Sequence, residues 1–123
     1  MKRSRLDSFD CVCEAIVAWL VRHYPAEARF FLQPVDVCAL HLPSYPLIVQ
    51  HPLHLGAVRG NSRTFAAQMR RVFGNAMLFN ARGDVVYEAA ALLLEHFERL
   101  WALWAPAQEL PITAVYFSTF IIQ

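Results

Sequence analysis

Few side chains in this sequence are of a type and spacing that could act on a substrate. Cys11-x-Cys13 offers two thiols, but both fall in a stretch of helical periodicity, where residues two apart point to different sides and chelate a metal poorly. His51-x-x-His54 brackets Pro52 at a loop boundary and has the donors for a metal ion, although two solvated or packed imidazoles are the plainer reading. Glu95 and Glu98 read as a wet helix face rather than an acid/base pair, and Arg63, Arg70 and Arg71 as a solvated basic stripe rather than a DNA surface. There is no glycine-rich phosphate loop, no His-Glu-x-x-His zinc pattern and no serine in a nucleophile elbow. The sequence therefore predicts no catalytic residues, no cofactor and no metal. What remains is Asn80, a polar residue that ends an apolar-periodic run just ahead of a turn. Alone it reads as a helix C-cap, because asparagine tolerates the left-handed conformation.

The elements around Asn80 follow from periodicity and breakers. Phe9, Val12, Cys13, Ile16, Trp19, Leu20 and His23 line one face of a helix that starts near Asp7 or Ser8 and stops at Pro25. Pro25, Pro34, Pro43, Pro46 and Pro52 then predict a long loop without regular structure, so apolar that it must pack on the body of the protein. Leu53 to Arg59 is long enough for under two turns before Gly60-Asn61. Ser62 is placed to cap a second long helix facing inward with Phe65, Met69, Val72, Phe73, Ala76 and Phe79. After the turn Ala81 to Asp84, Asp84 is placed to cap a third, Val85 to about Trp104, with Ala89, Leu93, Phe97, Leu100, Trp101 and Trp104 inward and Pro106 closing it. Three long helices and one short one make an all-α helical bundle.

Composition bounds the partners. A chain of 123 residues supports one core, and 57% hydrophobic with 17% charged residues excludes a disordered linker. A formal charge of +1 gives the surface as a whole no drive toward a polyanion, so no direct nucleic-acid partner is expected. Cys11, Cys13 and Cys38 are an odd set, read as free thiols in a reducing compartment. Asp7, Asp10 and Glu14 interrupt any secretion signal behind the basic start. The most apolar stretch, Leu110 to Ile122, is too short for a helical membrane span and contains Pro111, so no membrane partner is expected. This strand-forming tail reads first as an extended arm over the bundle, second as a self-association element and third as disorder.

Three groups of residues in order carry a family resemblance. They are Leu42-Pro43-x-Tyr45-x-x-Ile48-x-x-x-Pro52-Leu53-x-Leu55, then Phe65-x7-Phe73-x-Asn75-x-x-x-Phe79-Asn80, then Gly83-Asp84-x-Val86-Tyr87-x-x-Ala90-x-x-Leu93-x-x-x-Phe97. Together with Gln33-Pro34-Val35-Asp36, the pattern from about Phe31 to Trp101 resembles the bromodomain family. The resemblance implies a left-handed four-helix bundle over residues 1–106, followed by an apolar C-terminal arm, residues 107–123. It also implies an acetyl-lysine pocket between the long loop and the turn after Asn80.

In such a pocket, Val35, Leu40, Leu42, Phe31 and Val86 would form an apolar slot for the acetyl methyl and the lysine stem, with Phe79 beside them. An unmodified ammonium there meets a large desolvation cost, so the slot discriminates by exclusion. Asn80 would donate its amide N–H to the acetyl carbonyl, Tyr45 would reach the same oxygen through a water, and Val86 occupies the gatekeeper place. Arg29-Phe30-Phe31 stands where many members carry Trp-Pro-Phe, Phe79 where tyrosine is usual, and Leu53-His54 where Met-Asp is frequent. With Arg29, Phe30 and Arg82 placed at the rim, a less basic or multiply acetylated segment is expected to bind better than a singly acetylated histone tail. The resemblance implies a nuclear, non-enzymatic chromatin reader of acetylated histone tails. The alternative is a degenerate member serving as a protein-protein scaffold.

Overall fold

The computed structural model describes residues 5–59 and 64–104, with side chains from residue 11 onward. Helix α1, Arg5–His23, buries Cys13, Ile16 and Leu20 at helical spacing. Pro25 closes it as expected, but the chain does not then run irregular. Proline at the first helical position loses no hydrogen bond, and here it opens a short helix α2, Pro25–Ala28, continued by a 3-10 turn, Arg29–Phe31. Pro46 serves the same purpose in the first turn of α3, Tyr45–Ile48. The prolines thus punctuate the loop into short helical pieces, the difference from the sequence expectation. The predicted short helix is reduced to a 3-10 turn, Leu55–Ala57.

Helix α4, Phe65–Phe79, begins later than the sequence predicts. Thr64 stands at its cap, its hydroxyl bonded to Gln68 Nε2 at 3.0 Å, and its carbonyl accepts the Gln68 N–H at 2.9 Å. The expected cap Ser62 lies outside the described residues. Helix α5, Val85–Trp104, has the predicted limits. The Asp84 carbonyl takes the Glu88 N–H at 2.9 Å, while its carboxylate takes the Ala81 N–H at 3.3 Å.

The described elements are all helical and enclose one core, in which α5 packs on α4, α1 and α2. Ala89 and Ala90 are almost wholly buried, and their small side chains let α5 approach its neighbours closely. The centre is aromatic: Phe65 meets Phe97 at 5.9 Å and Trp101 at 5.6 Å, and Phe31 meets Phe73 edge-on at 5.4 Å. Because Trp101 near the end of α5 meets Phe65 at the start of α4, the two helices run antiparallel. Residues after Trp101 overshoot α4, which is why Trp104, expected inward, is 43% exposed.

Arg70 corrects the expectation of a wet basic stripe. It forms a two-pronged pair with Glu98 of α5, Nε to Oε2 at 2.7 Å and Nη2 to Oε1 at 2.9 Å. Glu98 is correspondingly not merely solvated, whereas Glu95 pairs with Arg99 on the exposed face. Both members of the Arg70 pair remain partly in water, so the bond orients the helices more than it stabilises them. The proposed arm 107–123 and Pro106 lie outside the described residues.

The core sets the first expectation. Phe97→Ala removes a fully buried ring and leaves a cavity between two helices, a loss of about 3–5 kcal/mol. Urea denaturation of the variant should show the midpoint falling with its slope unchanged.

Candidate functional site

Asn80 leaves α4 with φ −94° and ψ 151°, an extended conformation, not the left-handed one of an asparagine C-cap. Its backbone N–H and its side-chain Nδ2 both donate to the carbonyl of Ala76, each at 2.9 Å. Two bonds to one acceptor fix the carboxamide relative to the helix, and its Oδ1 and second N–H remain for another partner. The left-handed position falls instead at Gly83, φ 95°, in the following turn, where a side chain would strain the backbone. Gly83 donates its N–H to Glu88 Oε2 at 2.9 Å, so the turn is held from α5.

The long loop is organised by its own polar groups. Asp36 accepts the Ala39 N–H through Oδ1 and the Leu40 N–H through its carbonyl, each at 3.0 Å. His41 then turns the chain with φ 55°, and the Leu42 N–H returns to Val37 at 3.0 Å. Asn75 Nδ2 donates to the His51 carbonyl at 2.9 Å and pins the far side of the loop to α4. Gln68 acts likewise below, accepting the Arg59 N–H at 3.1 Å and donating to its carbonyl at 3.2 Å. Gly56 permits a close approach, because a Cβ there would lie 3.1 Å from His54 Cδ2 and 3.2 Å from the Leu32 carbonyl.

Between these anchors lies a cavity of about 270 Å³ whose walls include Pro34, Val35, Tyr45, Leu53 and His54. Two of the predicted site residues, Val35 and Tyr45, line it. Tyr45 is buried and meets Phe79 edge-on at 4.9 Å, which joins α3 to the last turn of α4 just before Asn80. Phe31 is a core residue packed on Phe73 rather than part of this lining. Asn80, Leu42, Phe79 and Val86 are half-buried, and Leu40 is 59% exposed; none of the five lines this cavity. The Arg29 guanidinium lies 4.6 Å over the Phe30 ring, and a hydrogen bond with the side chain of Tyr87 raises the pKa of exposed Arg82 further.

Sequence reasoning gave no role to Asn75, Gln68 or Gly56. Asn75 carried a readable signal, a polar residue inside an apolar helix one turn before the site. Gln68 reaches across to the backbone of Arg59 and Gly56 faces the Leu32 carbonyl and the His54 ring, contacts that no sequence pattern specifies. The histidine pair is divided: His51 offers its carbonyl to Asn75, while His54 turns into the cavity wall. No cluster of three metal-ligating side chains occurs among the described residues, and no described helix is long and apolar enough to cross a membrane.

Comparison with known proteins agrees with the pattern. The family model described as Bromodomain matches residues 13–92. Transcription factor GTE4 of Arabidopsis thaliana is 35% identical over 99 residues, covering 74% of this chain and 13% of that protein. Transcription factor GTE1 of the same plant is 39% identical over 84 residues, 62% of this chain and 22% of that protein. Transcription factor GTE2 is 36% identical over 106 residues, 80% and 18% respectively. The chain thus spans less than a quarter of the length of each relative.

Burial of Tyr45 raises its hydroxyl pKa above the ordinary 10.0, so the folded chain keeps this proton at pH values where the unfolded chain releases it. The resulting stability is complete below about pH 10 and is lost as the pH rises through the folded-state value. Tyr45→Phe should therefore flatten the alkaline limb of the stability curve, read by chemical denaturation from about pH 8 to 11.

Proposed function

The chain belongs to the bromodomain family, and from that premise we propose that it is a non-enzymatic reader of acetylated lysine, acting on histone or other chromatin-associated proteins in the nucleus. The observation that carries this reading is the carboxamide of Asn80, which with its own backbone N–H is anchored to Ala76 and follows directly on Phe79, the residue whose ring packs on Tyr45. A side chain held this way has surrendered its rotational freedom before any ligand arrives, so its free N–H meets an acetyl carbonyl at little entropic cost. Tyr45, held in place by its packing on Phe79, supplies a hydroxyl for a water-bridged second contact. Val35 and Leu40, 38% and 59% exposed, have apolar area to lose to the acetyl-lysine stem, and half-buried Leu42 and Val86 are further apolar candidates. A protonated lysine in the same place would leave its charge unpaired, so acetylation is what admits it. The relatives named as transcription factors support a part in transcription regulation.

Thermal unfolding with an acetyl-lysine mimic tests the reading. At about 100 times Kd the mimic should stabilise the wild type by about 2.7 kcal/mol, an upward Tm shift on the order of 5–10 °C. Asn80→Ala also loses the bond to Ala76, so its starting Tm should be lower; the decisive readout is the ligand-induced shift, which should vanish. A shift that persists in the variant removes Asn80 from the site, and no shift in either protein with mimics and acetylated peptides leaves the scaffold reading in its place.

A further inference from the structure

The cavity of about 270 Å³ is walled mainly by apolar groups, among them Val35, Pro52, Leu53 and Ala57, and two polar side chains interrupt that wall, Tyr45 and His54. Neither side chain makes a hydrogen bond to any described residue. Tyr45 is only 8% exposed, yet no polar side-chain atom of a buried or half-buried described residue is sealed from solvent without a partner, so its hydroxyl keeps an open side. His54 is half-buried, and its ring lies along Gly56, where a Cβ would come within 3.1 Å of Cδ2 and 3.3 Å of Nε2. No Asp, Glu, Lys or Arg is among the lining residues. Asp36, next to Val35, is exposed and accepts the Ala39 N–H at Oδ1. The Arg59 guanidinium is engaged by the carbonyls of Gly56 and Val58, at 3.2 and 3.3 Å.

An apolar space with a hydroxyl and an imidazole open to it suits a neutral occupant, since an ion would find no fixed opposite charge on the walls. Anything that enters displaces the water bonded to those two groups. A hydrocarbon gives nothing back for that water, whereas a hydroxyl both donates and accepts. Size points past the acetyl group, whose three heavy atoms displace only about three waters at about 30 Å³ each. The proposed function puts Tyr45 at the acyl oxygen through a water, so the cavity that Tyr45 lines is the space into which a longer acyl chain would extend. We infer that this cavity is an acyl subsite in which His54 determines specificity, favouring with Tyr45 a lysine acyl chain that carries a neutral hydroxyl, such as β-hydroxybutyryl, over a hydrocarbon chain of the same length. The inference rests on the acetyl-lysine reading of Asn80 and Tyr45.

Isothermal titration of the full chain with lysine methylamides bearing acetyl, butyryl or β-hydroxybutyryl groups, the last as both enantiomers, tests it. The better β-hydroxybutyryl enantiomer should bind on the order of tenfold more tightly than the butyryl compound. His54→Leu, similar in bulk but without a hydrogen-bonding atom, should bring that ratio close to one. His54→Gln keeps a donor and an acceptor and should retain most of it. Each ratio is taken within one protein, so a change in stability, followed by Tm, does not enter it. Butyryl binding as tightly as β-hydroxybutyryl to the wild type overturns the inference. So does a ratio that survives His54→Leu, or one lost equally in His54→Gln, which would assign the effect to packing of the ring. If none of the acyl-lysines binds, the acetyl-lysine reading fails and takes this inference with it; if the acetyl compound binds and the two longer chains are not distinguished, this inference alone fails.

Discussion

The carbonyl of Ala76 receives both hydrogen bonds from Asn80, and the geometry of that end of the bundle follows from this pairing. A helix must end with unsatisfied carbonyls, and the usual remedy is a residue that turns left-handed. Here the Ala76 carbonyl is already taken by the backbone N–H of Asn80; the side chain adds a second bond to it, the backbone leaves in an extended direction, and the left-handed turn falls at Gly83. The consequence is a carboxamide with one N–H spent on its own helix and with Oδ1 and the second N–H left for another partner. The left-handed C-cap expected of an asparagine here is replaced by an extended residue whose side chain bonds back to its own helix.

The loop opposite Asn80 is held by a small number of polar contacts rather than by packing alone. Backbone groups in an irregular segment need partners. Asp36 supplies them at the first turn, Asn75 at His51, and Gln68 at Arg59. Asn75 and Gln68 both belong to α4, the helix that ends in Asn80, so one rigid element sets the position of the carboxamide and of the loop that faces it. The bidentate bond of Arg70 to Glu98 adds α5 to the same frame.

Much of this was legible in the sequence where periodicity ruled. Phe65, Met69, Val72, Phe73 and Ala76 on α4, and Ala89, Leu93, Phe97 and Trp101 on α5, are buried as their spacing required. The limits of α5 followed from Asp84 and from the length of its apolar stripe. The loop was less legible because proline has two meanings, a stop for the helix behind it and a start for the helix ahead, and only three-dimensional context chooses. Trp104 misled because periodicity says which face a residue occupies and not whether the neighbouring helix reaches that far. Arg70 misled for a related reason, since a cation on a mixed face reads as solvated until the partner on another helix is known. Of the site, the types and order of Tyr45, Val35 and Asn80 were readable through the family pattern, while the cavity shared by Val35, Tyr45 and His54 depends on where two parts of the loop touch.

That touch occurs at Gly56, where the chain leaving Arg29-Phe30-Phe31 comes so close at the Leu32 carbonyl that a methyl group would push on it and on the His54 ring. The segment that follows Arg29-Phe30-Phe31 and the one that carries Leu53-His54 therefore meet closely at this one glycine. Drift at either place must be accommodated by the other, so the divergence of this chain at Arg29 to Phe31 and at Leu53-His54 is better understood as one coordinated remodelling than as two separate losses.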